Sequence, residues 1–187
     1  FALVDLDMDI KIEFESGKMV SINALKLEAV PQDAFSIAPW EEFTPNYSGV
    51  TQNYFFPGSF AYLKAFAGSI KTNNSWFATA GVRRGSVACS GVSQIITNAE
   101  ADAMQPAEGV SVNAITYIKP YGYVIYGNRT LFPNSSVGLV ANSFINVRQL
   151  VHDIERNVYS VCKSLMFDPN DDKLWVNFRN AVTPLLE

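Results

Sequence analysis

Charge is scarce in this sequence. Asp, Glu, Lys and Arg make up only 17% of its 187 residues, with a net charge of −4. A folded domain ordinarily carries about a quarter. The longest basic cluster is Arg83-Arg84. That disfavours a general nucleic-acid binder, which shows a basic face or stripe. Histidine is reduced to His152, and cysteine to Cys89 and Cys162. The two cysteines lie far apart in apolar contexts, so buried thiols are favoured over a disulfide, and alone they make no metal site. No apolar run reaches about eighteen residues, so nothing reads as a membrane-spanning helix. The chain opens Phe1-Ala2-Leu3-Val4 without a basic leader. It reads as a piece of a longer protein that begins in mid-strand, not as a signal peptide.

Catalytic signatures are missing too. His152 falls on the polar face of a helix, and no Gly-x-Ser-x-Gly accompanies it. Gly81-Val82-Arg83-Arg84-Gly85 could hold an anion with its backbone amides. It lacks the Lys-Ser/Thr of a P-loop and the three-glycine spacing of a dinucleotide site. Asp5, Asp7 and Asp9 open like a calcium loop, but Ile10 stands where that loop needs glycine and Ser16 where it needs glutamate. A solvated strand face fits them better. Asn-x-Ser/Thr triplets at Asn46, Asn73, Asn128 and Asn134 do not imply glycosylation without a secretory signal. No enzyme activity, cofactor or metal is expected.

What the chain does have is aromatic and apolar. Hydrophobic residues make up 48%, and aromatics 13%. Low charge with many aromatics points to surface buried against partners. Leu3 to Phe14 alternates apolar and polar, which predicts a strand with one buried face. Ser16-Gly17-Lys18 reads as a turn, and Met19 to Val30 as a returning strand with a bulge between Ile22 and Leu25. Residues 1–30 thus read as a β-hairpin. Residues 31–50, with Pro31, Pro39, Pro45 and Gly49, read as a loop pinned by Trp40 and Phe43, and as a boundary. Ser59 as N-cap and Phe60, Leu63, Ala67 and Ile70 predict a helix of about three turns. Its small residues Ala61, Ala65, Ala67 and Gly68 allow a close neighbour. Short extended pieces follow at 86–89 and 93–96, then a short helix capped by Thr97 or Asn98. Strands are expected at 113–119 and 123–126, split by Pro120-Tyr121-Gly122, with a loop from Gly127 to Gly138.

The strongest periodicity lies between Phe144 and Glu187. Val147, Leu150, Val151, Ile154, Val158, Val161, Cys162 and Leu165 line one helix face. Arg148, Gln149, His152, Asp153, Glu155, Arg156, Tyr159 and Lys163 line the other. Local pairs of Arg148 with His152 or Asp153, and of Asp153 with Arg156, would add a few tenths of a kcal/mol each. Pro169 stops the helix at Asp168. Asn170 or Asp171 caps a second helix with the stripe Leu174, Trp175, Phe178, Val182 and Leu185. The two helices should pack on each other and on what precedes them. The fold class is α+β: a mixed β-sheet flanked by helices, with an N-terminal β-hairpin region. The expected division is a β-rich part at 1–51 and a domain at 52–187.

Five stretches carry a resemblance. Trp76-Phe77-Ala78-Thr79-Ala80-Gly81, followed by Arg84-Gly85, resembles the Trp-x-Ala-Pro-Ala-Gly…Arg-Gly of contractile phage tail sheath proteins, with Thr79 for proline. The helix at Asn98–Asp102 followed by Gly109-Val110-Ser111-Val112-Asn113-Ala114-Ile115 is similar to their Gly-(Val/Ile)-Asn-x-Ile passage, with two residues inserted. Gly122-Tyr123-Val124-Ile125-Tyr126-Gly127-Asn128-Arg129-Thr130 is similar to their Gly-x-Val-x-Trp-Gly-x-(Arg/Lys)-Thr, with Tyr126 for tryptophan. Phe144 to Leu150 resembles the start of their long helix, and Phe167-Asp168-Pro169-Asn170 with Leu174-Trp175 their break and second helix. The order holds across residues 56–187 and does not clearly cover 1–50.

The resemblance implies a structural subunit that polymerises helically around an inner tail tube and contracts to drive the tube through a cell envelope. Its partners would be other sheath subunits, the inner tube protein and a baseplate, with no nucleic acid and no direct membrane insertion. Its place would be a virion tail assembled in host cytoplasm. A bacteriocin-like or secretion-type sheath is the alternative machine. A ligand-binding α/β domain using Arg83-Arg84 is the alternative chemistry. The family also implies strand segments beyond Glu187, without which this piece would stay monomeric. Arg148, Lys163, Lys173 and Arg179 are the expected contacts to tube or subunit. Ordinary solvated charge is the competing role for each.

Overall fold

The computed structural model describes residues 2–8, 11–19, 31–134 and 138–186. Its strands are short: β1 Ala2–Leu3, β2 Phe14–Glu15, β3 Lys18–Met19, β4 Ala34–Phe35, β5 Ile37–Ala38, β6 Glu41–Phe43, β7 Asn46–Tyr47, β8 Val50–Thr51, β9 Tyr54–Phe56, β10 Gly91–Val92, β11 Asn113–Ile118 and β12 Gly122–Tyr126. The helices are α1 Gly58–Ser69, α2 Gly81–Arg84, α3 Asn98–Ala103, α4 Ile145–Ser164 and α5 Asp172–Leu186, with 3-10 turns at Pro31–Asp33 and Ala141–Ser143.

A mixed sheet in the order β12-β11-β5 organises the body. β11 pairs antiparallel with β12 and parallel with β5. Successive residues of a strand face opposite sides, and here the two sides are two cores. Ile37 and Ile115 join Phe35, Ala61, Tyr62, Ala65, Val87, Ile125 and Ile145 on one side. Ala38 and Ala114 join Leu6, Ile12, Ile96, Ala101, Met104 and Val112 on the other. α1 therefore covers one face and α3 the opposite one. A second sheet, β10-β6-β9, is wholly antiparallel. This is the expected α+β class, with a mixed sheet flanked by helices.

The N-terminal expectation is only partly met. Leu6 and Ile12 are buried as the alternation requires, but no continuous strand joins Leu3 to Phe14. Side chains take the backbone groups a ladder would use. Trp40 Nε1 donates to the Leu6 carbonyl at 2.7 Å, and the Gln94 amide exchanges two hydrogen bonds with the Ile12 backbone. The hairpin survives as β2–β3, turned by Ser16 and Gly17, whose φ values of 52° and 74° suit a two-residue turn. Most of the expected return strand, with its bulge between Ile22 and Leu25, lies outside the described residues. Residues 31–50 are not a loop. They hold β4 to β8, and Ala34 to Ala38 are fully buried. Their prolines sit between strands, not within them. Phe35 and Ile37, before residue 51, share one core with Ala61 and Tyr62, after it.

α1 also turns differently from expectation. Phe60, Leu63 and Ile70 are exposed, while Gly58, Ala61, Tyr62, Ala65 and Ser69 face inward. The small residues let the helix backbone approach β5 closely. A Cβ on Gly58 would lie 2.2 Å from the Ile37 carbonyl oxygen. The helix begins at Gly58, with Pro57 in the cap position. Asp5 caps it from afar, accepting from Ser59 N at 2.9 Å and Ser59 Oγ at 2.6 Å. α3 starts with a capping box between Thr97 and Glu100. The expected strands at 86–89 and 93–96 give way to β10 between them, with Ser86 making a single bridge to Val124.

Candidate assembly surface

Three of the residues that carry the resemblance, Asn113, Arg129 and Thr130, are packing hubs. Asn113, fully buried on β11, donates through Nδ2 to the Ser36 carbonyl at 3.0 Å and the Arg129 carbonyl at 2.8 Å. Its Oδ1 accepts from Arg129 N at 2.7 Å. One amide thus ties the segment before β5 to the loop after β12. Thr130 Oγ1 donates to the Asn142 carbonyl at 2.6 Å, and the Arg129 guanidinium lies 4.3 Å from the Phe144 ring centroid. These contacts fix where α4 leaves the body.

Gly81-Val82-Arg83-Arg84 forms the single-turn helix α2 instead of an open anion loop. Arg84 Nε donates to the Ala78 carbonyl at 2.9 Å and the guanidinium covers Phe77. Arg83 is exposed. Among the described residues, no group of three or more His, Cys, Asp or Glu is placed to hold a metal ion, and no helix is long and apolar enough to cross a membrane.

α4 and α5 form where expected and pack on each other, but α4 meets the body with its polar face. Arg148 Nε and Nη2 both donate to Asp33 Oδ1, at 2.9 and 2.6 Å. His152 Nε2 lies 2.9 Å from the same oxygen. Gln149 Nε2 donates to the Tyr62 hydroxyl at 3.0 Å, and Ser75 Oγ donates to Asp153. Burial alone would raise the Asp33 carboxyl. Hydrogen bonds from Arg148 and His152, with their charges, outweigh it and hold Asp33 below its ordinary value. Among the described residues, only Ile145 of α4 is buried, and nothing in α5 is. The apolar stripe is left half-covered, ending in a cleft of about 240 Å³ lined by Cys162, Leu165, Leu174, Trp175 and Phe178. Cys162, expected to be a buried thiol, is exposed, because nothing described in the body reaches that face.

The four expected contact residues lie apart on the helix pair. Arg148 is spent on Asp33, with its side chain only 12% exposed. Lys163, Lys173 and Arg179 are exposed. Arg148 and Lys163 sit at opposite ends of α4, about 22 Å apart along its axis. Asp33, the partner that fixes α4, was missed. It lies 115 residues from Arg148, and no local pattern marks it. Asp171 settles the α5 cap by accepting from Leu174 N at 2.8 Å, while Asn170 holds the Trp175 indole.

A body of this shape, with a helix pair carried on its surface, places the chain among proteins that share a fold with subunits of contractile injection machines. A chain in the anti-feeding prophage baseplate in its contracted state matches with TM-score 0.69 and 22% identity, covering 100% of this chain and 45% of that one. The anti-feeding prophage helical sheath, contracted, matches with TM-score 0.67 and 22% identity over 89% of this chain and 42% of that one. The sheath complex of the extracellular contractile injection system PVC, also contracted, matches with TM-score 0.65 and 22% identity over 82% and 39%. This chain thus spans less than half the length of these neighbours. No family model and no curated protein matches the sequence.

Proposed function

We propose that this chain is the body of a sheath subunit in a contractile injection machine. The observation that carries the reading is the fold match along the whole chain to an anti-feeding prophage component, alongside the match to that system's helical sheath. The five sequence stretches of the sheath pattern support it independently. The subunit has a structural role: it polymerises helically around a tube, meets a baseplate, and does its work through repacked interfaces instead of a bound reactant. Low charge and exposed aromatics suit a surface that assembly covers. Two packings of the same rigid body, separated by a barrier, would hold and release the energy of contraction.

Two machines fit. A virion tail sheath that drives genome ejection is one. An extracellular injection system is the other, and the structural neighbours are of that kind. In either, Lys163, Lys173 and Arg179 are exposed cations of the helix pair offered to tube or neighbour, and Arg148 positions the helix that carries Lys163. The division at residue 51 is kept in this proposal as one of sequence and not of packing: residues 1–51 would be the end of a preceding or inserted segment, and their Phe35 and Ile37 share one core with Ala61 and Tyr62.

The test is negative-stain electron microscopy of the full-length protein expressed alone. Hollow helical tubes of uniform width are expected. Discrete small particles at high concentration, across several salts, would overturn the reading. Nucleic acid co-purifying with complete particles would separate the virion from the injection system.

A further inference from the structure

The lone histidine is held between two carboxylates. His152 Nε2 lies 2.9 Å from Asp33 Oδ1, and Nδ1 lies 3.2 Å from Glu155 Oε2. A neutral imidazole has one N–H and one lone pair. It can satisfy one carboxylate only, and its lone pair then faces the other. The imidazolium carries two N–H groups and satisfies both. The geometry on both ring nitrogens therefore fits the charged ring.

The surroundings make this contact matter. From the 3-10 turn at Pro31–Asp33 comes the Asp33 carboxylate. From α4 come Arg148, which shares Asp33 Oδ1, and Glu155. Asn142 joins the cluster through Arg148 Nη1 at 3.5 Å and through Gln32 at 3.3 Å. Among the described groups, a charged His152 can donate to both Asp33 and Glu155, whereas a neutral ring leaves one of the two carboxylates opposite its lone pair. Asp33 is held below its ordinary value, so it stays ionised through the range where a histidine changes charge. Only Ile145 of α4 is buried in the core among the described residues, so the turns that follow are held to the body by these contacts together with Gln149–Tyr62 and Ser75–Asp153.

We propose that Asp33, Arg148 and His152 form a pH-gated clasp that sets how firmly α4 is held on the body. It is closed when His152 is charged and Asp33 ionised. It loosens when His152 gives up its proton, and fails when Asp33 takes one up. The helix pair α4–α5 would then change its hold on the body while the sheet core stays intact. Proton binding would bias one element between two attachments. The clasp lies within one chain and does not depend on the sheath reading.

Hydrogen exchange of the full-length protein, followed by mass spectrometry and normalised to intrinsic rates, tests it. Peptides covering residues 145–156 should gain about three- to tenfold protection from about pH 8 to about pH 6. Peptides over α3 should not change, which separates the clasp from global stability. Glu155→Gln places an amide donor opposite Nδ1, so a neutral ring satisfies both sides. That variant should keep α4 protected at both pH values. Asp33→Asn should leave it poorly protected at both. Should Asp33→Asn fail to fold, the exposed Glu155 variant still decides. Protection of 145–156 that is independent of pH in the unmodified protein, or a Glu155→Gln profile identical to it, overturns the proposal.

Discussion

Glu41 is a fully buried carboxyl on β6 whose two oxygens receive no hydrogen bond among the described residues. Its ionic neighbour among the described residues is Lys64 Nζ at 3.8 Å, on α1. Burial raises its pKa above the usual 4.5, and the Lys64 charge offsets only part of that. The folded form then holds the proton more tightly than the unfolded chain does. The stability this group contributes is present below its unfolded value and is lost as pH rises through the folded one. Glu41→Gln should remove that slope and raise stability at neutral pH, because the amide carries no charge to desolvate. Urea melts between about pH 4 and about pH 8 read it. An unchanged slope in the variant would assign the pH dependence elsewhere. Lys64 keeps other partners, the Ala88 carbonyl and the faces of Phe43 and Phe60. Asn113 shows the opposite solution, a buried amide with both ends bonded. The sequence pattern marked Asn113, and the structure supplied the reason. Nothing local marked Glu41, because strand residues that alternate like any others acquire their burial from a second sheet.

At the scale of elements, α1 shows that the apolar stripe is not always the buried one. Counting apolar residues favours Phe60, Leu63, Ala67 and Ile70, yet the inward face is Gly58, Ala61, Tyr62, Ala65 and Ser69. Close approach wins because a small face lets Tyr62 and the helix backbone meet β4 and β5, with Tyr62 edge-on to Phe35 at 4.6 Å between centroids. Gly58→Ala should therefore destabilise by about 1–3 kcal/mol, the usual range for overpacking. Alanine is the better helix former by up to about 1 kcal/mol, but a Cβ 2.2 Å from a backbone oxygen is the larger effect. Thermal melting decides the sign, and a neutral or stabilised variant would mean that Ile37 yields. α4 reverses its expectation in the same way. Its 3.6-residue stripe was legible, but the helix ends at Ser164, about one turn before the stop expected at Asp168. Which face meets the body was not, because Asp33, Tyr62 and Ser75 reach it from remote parts of the chain.

For the whole molecule, large apolar side chains stand exposed among the described residues. Phe167 is 94% exposed and Trp175 60%, both at the free end of the helix pair. The two cysteines report on this arrangement. Cys89 sits half-buried under β6, and burial, with Glu41's charge beside it, pushes its thiol up to about 11. Cys162 is open. A maleimide at neutral pH should modify Cys162 at least about a hundredfold faster than Cys89 in the native protein, since the thiolate is the reacting form. Peptide mapping after a brief pulse checks this. Equal rates would mean that β6 and its sheet open readily.

Local sequence was enough for the class of fold, the helix pair with its break at Pro169, the hairpin turn at Ser16-Gly17, the capping box of α3 and the two strands about Pro120. All follow from interactions within a few residues: periodicity, capping and turn chemistry. The sheath-like pattern was legible there too. The folded chain was needed to show that residues 31–50 enter the core, that α1 turns its small face inward and α4 its polar face, and that Arg148 is held by Asp33 and not offered outward. Those outcomes depend on groups brought together from opposite ends of the chain. Burial and pairing of that kind are properties of the packed whole, and no local pattern encodes them.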